Sequence, residues 1–417
     1  MISFEEAYRI VMSGSTTTFA ERVPLMTALG RILAENIIAD LDMPPFDKAA
    51  VDGFACRRAD LGLLFVSTES GRLSQNSDLS HETSAAEYCD RLKVVETIPA
   101  GKVPVKTIGS GACARIMTGA MVPEGADCVV MVEDTEEIGP DQIRINKKQK
   151  SSNICYQAED IRKGSGILKK GTLLDPAGIA SLATVGVTSP LVSIQPSVGI
   201  ISTGDELVEP DIVPGLSQIR NSNSWQLMAQ LMAMGIKADY HGIAGDTIAA
   251  LREKIENVCL KNRVILLTGG VSMGNYDYVP EVMTEAGFEL KFRSVAVQPG
   301  KPTVFGCRDD RWFFGLPGNP VSSFVLFEML VKPFLFRLMG HQWQPLELIM
   351  PISDDFSRRR AERKSMIPVR ITGSSASPVE YHGSAHIHAY TMANGIMIVE
   401  PGVTFIKKGD PVYVRPV

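Results

Sequence analysis

Between residues 198 and 338 the sequence alternates short apolar runs with helical stretches, and this alternation constrains the fold most strongly. The predicted strands are residues 198–202, 237–243, 264–268 and 312–316. The predicted helices are residues 224–234, 247–259, 279–286 and 321–338. Strands that alternate with helices of this length form open, mostly parallel sheets covered by helices. The pattern therefore predicts a central α/β sheet domain.

The sequence before this domain divides into a helical part and a β-rich part. Residues 3–40 show the spacing of apolar side chains that is typical of a helix, and residues 29–39 continue this pattern. Pro44 and Pro45 then end any helix. Residues 46–150 contain short apolar runs separated by Gly and Pro, which predicts a small antiparallel or barrel-like β unit. Its predicted strands are 93–98, 113–117, 128–132 and 142–145.

Two further elements are predicted outside these regions. A helix is expected at 176–184, because Pro stands near its start and Gly186 follows its end. The tail, about 345–417, contains short, evenly spaced β-like runs, which predicts a small C-terminal β module. The runs in the tail are 380–389, 396–399 and 411–414. The chain as a whole is predicted to be an α/β multidomain protein.

Size and composition exclude several classes of protein. A chain of 417 residues is long for a single core, so two to four domains are expected. The net charge of −5 argues against broad nucleic-acid binding, which needs a concentrated basic face. The acidic N-terminal sequence does not resemble a signal peptide, and no apolar run is long enough to span a bilayer. We therefore expect a cytoplasmic protein.

The cysteines indicate reduced thiols. The chain has seven of them, an odd number, and no two stand at C-x-x-C spacing. Reduced thiols are the usual state in the cytoplasm, so neither disulfides nor a cysteine zinc site is expected. The cysteines are Cys56, Cys89, Cys113, Cys128, Cys155, Cys259 and Cys307.

Four loops at the expected carboxyl edge of the sheet combine glycines, hydroxyls and carboxylates. Ligands of open parallel sheets bind at this edge, and glycines let backbone N–H groups approach an anion. Carboxylates beside such a cradle are typical of Mg²⁺ sites. The loops are 202–207, 244–246, 268–277 and 317–322. Their hydroxyl donors include Thr268, Ser272 and Ser322. Their carboxylates are Asp205, Glu206, Asp246 and Asp277.

Each loop alone has a purely structural interpretation. A Gly-Gly pair is often a tight turn, and an aspartate near a helix start is often a cap, but four such loops together favour a ligand site. Neither common nucleotide motif is present, since no G-x-x-x-x-G-K-[ST] occurs and no G-x-G-x-x-G opens a helix. A nucleophilic triad is not indicated, because no serine elbow accompanies the histidines of the tail, His382, His386 and His388. Alternation predicts that the last two share a solvated strand face, which we prefer over a zinc pair.

Eight segments spread over nearly the whole chain occur in a distinctive order. They are PPFDKAAVDGFA, RIMTGAMVPEGADCVVMVED, AEDIRKG, STGDEL, the N-S-N of 221–223, LLTGGVSMGNYD, QPGKP and GLPGNPVS. In this combination they resemble the MoeA-type molybdopterin molybdenumtransferases, whose vertebrate relative is the E domain of gephyrin. The α/β domain also resembles the enzymes that adenylylate molybdopterin.

The resemblance implies a domain organisation and a reaction. The family is dimeric, with a cleft between the α/β domain of one subunit and the β domain of the other. Molybdate displaces AMP from adenylylated molybdopterin at an Mg²⁺-dependent site, and the adenylyltransferase of the preceding step is a possible partner. The implied domains are a helical/extended linking domain (1–40 and 150–178), a β-rich domain (41–149), an α/β molybdopterin-binding domain (179–340) and a C-terminal β module (345–417).

The resemblance also implies roles for residues at matching positions. The implied catalytic residues are Asp52, Thr118, Asp160, Glu206, Asp246 and Asp277. The implied metal ligands are Asp205, Glu206, Asp246 and Asp277. The implied substrate-binding residues are Thr203, Gly204, Asp205, Thr268, Gly269, Gly270, Ser272, Lys301, Pro317, Gly318, Asn319, Ser322 and Ser384. Such a set suits a reaction between two anions, which needs charge screening more than proton transfer.

The chain departs from the family pattern at three points. Gln298 stands where many relatives have Lys, and Pro368 stands where an Arg is expected. Residues 155–157 read Cys-Tyr-Gln where relatives often have arginines. These differences concern contacts with anions and leave the carboxylates in place.

Two other functions fit parts of the sequence. Molybdopterin adenylylation would need only the α/β domain, so the segments around that domain argue against it. A gephyrin-like scaffold would have no need of Asp52, Asp246 and Asp277, whose presence favours an enzyme.

Overall fold

The described part of the chain divides into two units. The structure, a computed structural model, describes residues 1–14, 19–61, 91–271, 278–381, 383 and 385–417. The larger unit consists of 1–35, 169–183 and 187–417, and the smaller consists of 36–168 and 184–186. Over these described stretches, no helix combines the length and the apolar character that crossing a bilayer requires.

The larger unit contains a six-stranded α/β sheet. Its first four strands run parallel to one another, and the last two are antiparallel to their neighbours. The prediction of an open, mostly parallel sheet is therefore confirmed. The antiparallel pair was not predicted, because Gly306 interrupts one strand and the other is a four-residue edge strand. In sheet order the strands are Ala238–Ala244, Val198–Thr203, Val264–Thr268, Arg311–Leu316, Val304–Arg308 and Glu289–Phe292.

Helices cover both faces of this sheet. Side chains alternate along each strand, so Ile200 packs in one apolar cluster and Ile201 packs in the other. Pro333 cannot donate a helical hydrogen bond, and the turn just before it is a π-helix within an otherwise continuous helical stretch. The helical segments are Ser222–Ala233, Ile248–Lys261, Val279–Glu285, Pro320–Leu326, the π-helix Phe327–Val331 and Lys332–Leu338.

The N-terminal segment is only partly helical. The helix Phe4–Met12 buries Ala7 and Val11 in the core of the larger unit. The helix predicted through 29–39 is wrong, because Gly30 adopts a positive φ of 75° and the following residues pair as extended chain. The remaining elements here are the 3-10 turn Leu25–Ala28, the paired strands Ala20–Arg22 and Leu191–Ser193, and the helix Pro176–Thr184.

The C-terminal part of the larger unit forms a second sheet. The strand predicted at 380–389 is wrong for its described residues, because 385–388 form turns that lead into the helix Ala389–Met392. His386 and His388 therefore do not share a strand face, and His382 lies outside the described residues. The strands are Val297–Gln298, Lys364–Thr372, Gly395–Val399, Pro411–Pro416, Leu348–Pro351 and Ser375–Pro378, with the separate pair Phe356–Ser357 and Phe405–Ile406.

The smaller unit is built on a six-stranded, mainly antiparallel sheet. One pair, Arg91–Ile98 with Ala112–Ile116, is parallel. A Cβ atom at Gly53 would lie 1.9 Å from the Val130 carbonyl oxygen, so only glycine permits the close strand approach there. In sheet order the strands are Cys128–Met131, Gly53–Cys56, Ala112–Ile116, Arg91–Ile98, Gln142–Ile145 and Thr135–Gly139. The other elements are the strand pairs Lys48–Ala49 with Ile154–Cys155 and Ile37–Ile38 with Gly166–Leu168, the helix Arg58–Leu61 and the 3-10 turn Val132–Asp134.

The described cysteines are free thiols, as predicted. Cys56 and Cys128 face each other across neighbouring strands with their sulfur atoms 3.5 Å apart. The hydrogen bond between these thiols and the burial of Cys56 raise the pKa of Cys56, so its thiol stays protonated, and both cysteines are buried in the core. Cys89 lies outside the described residues.

Candidate active site

A cavity of about 720 Å³ lies at the carboxyl edge of the α/β sheet, entirely within the larger unit. The ends of the parallel strands and the loops that follow them form most of its wall, as expected for an open sheet. The C-terminal part of the chain also contributes. The described lining residues are Thr203, Gly204, Glu206, Leu207, Ile219, Arg220, Asn221, Ser222, Asn223, Asp246, Thr268, Gly269, Gly270, Val271, Pro302, Pro317, Gly318, Asn319, Pro320, Ala385 and Ile387.

The first two loops are joined to each other through their carboxylates. The Asp246 carboxylate accepts hydrogen bonds from Thr203 Oγ1 at 2.8 Å and from the Asp205 backbone N–H at 3.2 Å. In return, the Asp246 backbone N–H donates to Asp205 Oδ1 at 3.0 Å. These reciprocal bonds hold the two carboxylates beside each other at the cavity.

The glycine pair after the strand Val264–Thr268 has no room for a side chain. Gly269 has a φ of 94°, and a Cβ atom there would lie 2.3 Å from the Thr203 carbonyl oxygen. Gly270 has a φ of 59°, and its Cβ would lie 2.8 Å from Val279 Cγ2. The backbone of this loop is thus pressed against the first loop, in a conformation that L-residues disfavour. Both glycines line the cavity with backbone only, and the Gly269 N–H donates to the Leu316 carbonyl at 3.1 Å.

Asn223 joins the two later loops from the helix Ser222–Ala233. Its Nδ2 donates to the Gly318 carbonyl at 2.7 Å and to Thr268 Oγ1 at 3.2 Å, which fixes the orientation of the amide. The amide oxygen Oδ1 is buried and accepts no hydrogen bond from the described residues. Asn223 therefore links Thr268 and Gly318 through its Nδ2 alone.

A buried polar network also holds the start of the helix Ser222–Ala233 in place. Asn221 caps the helix by accepting from the Ser224 N–H, and it also accepts from Ser202 Oγ at 3.0 Å. Its Nδ2 donates to Tyr240 Oη at 2.8 Å, and Tyr240 donates to Glu209 at 2.6 Å. Burial and the neighbouring Glu209 carboxylate raise the pKa of Tyr240, which keeps its hydroxyl protonated as the donor.

The smaller unit contains a separate polar pair. Asp52 Oδ1 accepts from the Thr118 backbone N–H at 2.6 Å and from Thr118 Oγ1 at 2.7 Å. The side-chain and backbone hydrogen bonds from Thr118 hold the pKa of Asp52 below its usual range. The carboxylate is exposed, and it is ionised at neutral pH.

Replacing Thr118 with valine should raise the pKa of Asp52 towards its ordinary value, because the hydroxyl donor is lost. A carboxylate with a lowered pKa contributes stability above its unfolded pKa, about 4, and loses it as pH falls through the folded value. The variant should therefore show less acid-dependent loss of stability below about pH 4. A ¹³C NMR titration of the Asp52 carboxyl carbon measures the shift directly. An unchanged pKa in the variant would contradict this assignment.

Models of protein families match three parts of the chain. They are described as the MoeA N-terminal region (domain I and II), over residues 2–186, a probable molybdopterin binding domain, over 199–337, and the MoeA C-terminal region (domain IV), over 354–417. Together they match most of the sequence in the order that the resemblance implies. The chain belongs to the MoeA family.

Relatives of known name and solved structures support the same assignment. The chain is 32% identical to the molybdopterin molybdenumtransferase of Staphylococcus aureus (strain MRSA252), over 99% of this chain and 95% of that protein. A Staphylococcus epidermidis protein of the same name is also 32% identical over the same shares. Two crystal structures of MoeA proteins from Pyrococcus horikoshii are similar, with TM-scores of 0.75 and 0.80 at 31% and 27% identity, and each covers the whole chain and 99% or more of the solved one. This MoeA family member is therefore an enzyme, a molybdopterin molybdenumtransferase of molybdenum cofactor biosynthesis.

The residues that the MoeA resemblance implied fall into several groups. Lys301 is exposed and does not line the cavity, although its neighbour Pro302 does. Ser322 is buried in the first turn of its helix, and Asp205 is exposed and hydrogen-bonded to the lining residue Asp246 without lining the cavity itself. Those in the cavity wall are Thr203, Gly204, Glu206, Asp246, Thr268, Gly269, Gly270, Pro317, Gly318 and Asn319. Those in the smaller unit are Asp52, Thr118 and Asp160. Those outside the described residues are Ser272, Asp277 and Ser384.

Some cavity residues of this MoeA family member were not singled out from the sequence. Arg220 belongs to the wall and had not been noted, and Asn221 and Asn223 had been noted only as part of the N-S-N motif, without a place in the site. An Asn-Ser-Asn-Ser run before a helix is a capping pattern, and its place after a short strand could have indicated the sheet edge. Ala385 and Ile387 could not have been found, because the tail was taken to be a strand.

Proposed function

We propose that this cavity is where molybdate is inserted into adenylylated molybdopterin, with release of AMP and in dependence on Mg²⁺. The observation that supports this most is the wall itself, which the carboxylate residues Glu206 and Asp246 share with the half-buried glycines Gly269 and Gly270. This combination suits a substrate with phosphate groups and a divalent cation. The names of the similar proteins refer to the same substrate.

The glycine loop would bind phosphate oxygens through its main chain. Thr268 and Thr203 are buried, and both hydroxyls take part in hydrogen bonds that link neighbouring loops. The loops are thus held in place before the substrate arrives. Preorganised donors of this kind stabilise developing charge without a further cost of rearrangement.

The residues present fit an Mg²⁺ ion that the substrate helps to bind. Among the described residues, no three His, Cys, Asp or Glu side chains come close enough to enclose a metal. Mg²⁺ commonly uses only one or two carboxylates together with substrate phosphates, and the adjacent Asp205 and Asp246 supply two. Glu206 and Asp277 are further candidate ligands, on the family resemblance. When bound, Mg²⁺ would neutralise charge on the phosphates and on the leaving AMP.

Other parts of the proposal rest on the family resemblance. They are the catalytic roles of Asp52, Thr118 and Asp160, the substrate contacts of Lys301, Ser322 and Ser384, the homodimer, the cytoplasmic location and the transfer of substrate from an adenylyltransferase.

The reaction can be tested by measuring AMP release by the purified protein from adenylylated molybdopterin. We expect release to need both molybdate and Mg²⁺, and to stop when EDTA is added and resume with excess Mg²⁺. Unchanged release in EDTA would contradict the metal dependence. Consumption of ATP with free molybdopterin, without release of AMP from the adenylylated form, would instead indicate the adenylylation step.

A further inference from the structure

Arg220 brings a positive charge to a cavity whose other charged wall residues are acidic. Of the described residues that line the cavity, it alone has a cationic side chain, and it shares the wall with Glu206 and Asp246. Lys301, the cation that the family pattern implies, does not line the cavity, and Gln298 is neutral. A cationic side chain in such a cavity can form strong hydrogen bonds with the phosphate groups of a substrate.

The structure holds this arginine in a defined place. The strand Ile219–Arg220 pairs with Leu207–Val208 in parallel register, so the arginine backbone lies beside the loop that presents Glu206. The guanidinium Nε donates to the Ile212 carbonyl at 3.2 Å. This bond occupies one edge of the planar group, and no described residue hydrogen-bonds to its two terminal nitrogens.

Among the described residues, no Asp or Glu forms an ion pair with Arg220. The side chain is exposed, and the cavity that it lines also has the acidic residues Glu206 and Asp246. Arg115, by contrast, is ion-paired with Glu137. A planar guanidinium with two terminal nitrogens available matches the oxygens of a phosphate, which it can bind in bidentate fashion.

We propose that Arg220 is a substrate-binding residue that binds a phosphate group of the adenylylated substrate and of the AMP product. The inference rests on the proposed function, since it assigns a residue to the phosphate part of that substrate. It concerns binding and specificity for the anion, and it gives Arg220 no part in proton transfer.

The test is calorimetric titration of the purified protein with AMP and with adenosine, in Mg²⁺. We expect Arg220→Ala to weaken AMP binding by about 10-fold to 100-fold, the usual range for a hydrogen bond to a charged group. Arg220→Lys should bind AMP with an affinity between those of the wild type and Arg220→Ala, because lysine keeps the positive charge but lacks the planar guanidinium. Adenosine binding should stay the same in all three proteins. Raising the salt concentration should weaken AMP binding more in the wild type than in Arg220→Ala.

The matched control is Arg252→Ala. Arg252 is an exposed arginine on the helix Ile248–Lys261, is ion-paired with Glu285 and does not line the cavity. Its replacement removes the same charge and should leave AMP affinity within about twofold. AMP binding by Arg220→Ala at wild-type strength would overturn the inference, as would an equal loss of adenosine binding, which would indicate a structural role. A wild-type protein that bound no AMP would count against the proposed function itself.

Discussion

Replacing Gly269 with alanine is expected to abolish AMP release and to lower the melting temperature. The residue has a φ of 94°, which costs an L-residue roughly 1–2 kcal/mol. The added Cβ would also lie 2.3 Å from the Thr203 carbonyl oxygen, and a backbone atom cannot rotate away. The two loops must therefore separate, and the cavity wall between them is lost.

The variant Gly409→Ala separates the backbone cost of a positive φ from the effect of the steric clash. Gly409 has a nearly equal φ of 91°, but a Cβ atom there would meet no atom within 4 Å. It should show the backbone cost alone, as a modest fall in the melting temperature with AMP release unchanged. If Gly269→Ala behaved like this control in both measurements, the close approach of the loops would not be needed for activity.

Asp246→Asn is expected to lower the rate of AMP release by about 10²–10³-fold, the usual cost of losing one electrostatic contact in a transition state. Asparagine keeps the shape of the side chain, and its oxygen can still accept from Thr203 Oγ1 or the Asp205 N–H. The fold should therefore survive, with a melting temperature close to that of the wild type. What is lost is the negative charge that would bind Mg²⁺ beside Asp205.

The control for this variant is Asp239→Asn. Asp239 is an exposed residue near the start of the strand Ala238–Ala244, whereas Asp246 follows the carboxyl end of that strand. The two variants thus change charge equally at opposite edges of one sheet. Near-normal turnover by Asp246→Asn, or an equal loss in both variants, would remove Asp246 from the catalytic site.

The sheet edge could be predicted because it depends on local sequence. Each parallel strand is a short run of buried apolar residues, such as Val264–Thr268, and glycines follow it directly. Connections between parallel strands must cross over by a helix, so the loops after these strands had to meet at one edge. The sequence alone therefore predicts that Thr203, Asp246 and Gly269 lie at one edge of the sheet.

Other features depend on tertiary contacts that no local pattern contains. Residues 29–39 have helical spacing, but Ile32 and Leu33 instead bridge to Leu173 and Val192, far along the chain. The turn at 385–388 alternates like a strand, yet Tyr390 just beyond it packs on the Phe324 ring with centroids 4.5 Å apart. Burial against a distant partner decided each of these conformations over local propensity.

The central claim is that substrate binds in the cavity between the Asp246 and Gly269 loops. Soaking crystals of the protein with adenylylated molybdopterin, molybdate and Mg²⁺ tests it most directly. We expect the phosphates within hydrogen-bonding distance of the backbone at Gly270, in the cavity that Asp246 also lines. Substrate bound elsewhere, such as in the mainly apolar groove beside Trp343, with this cavity empty, would contradict the account.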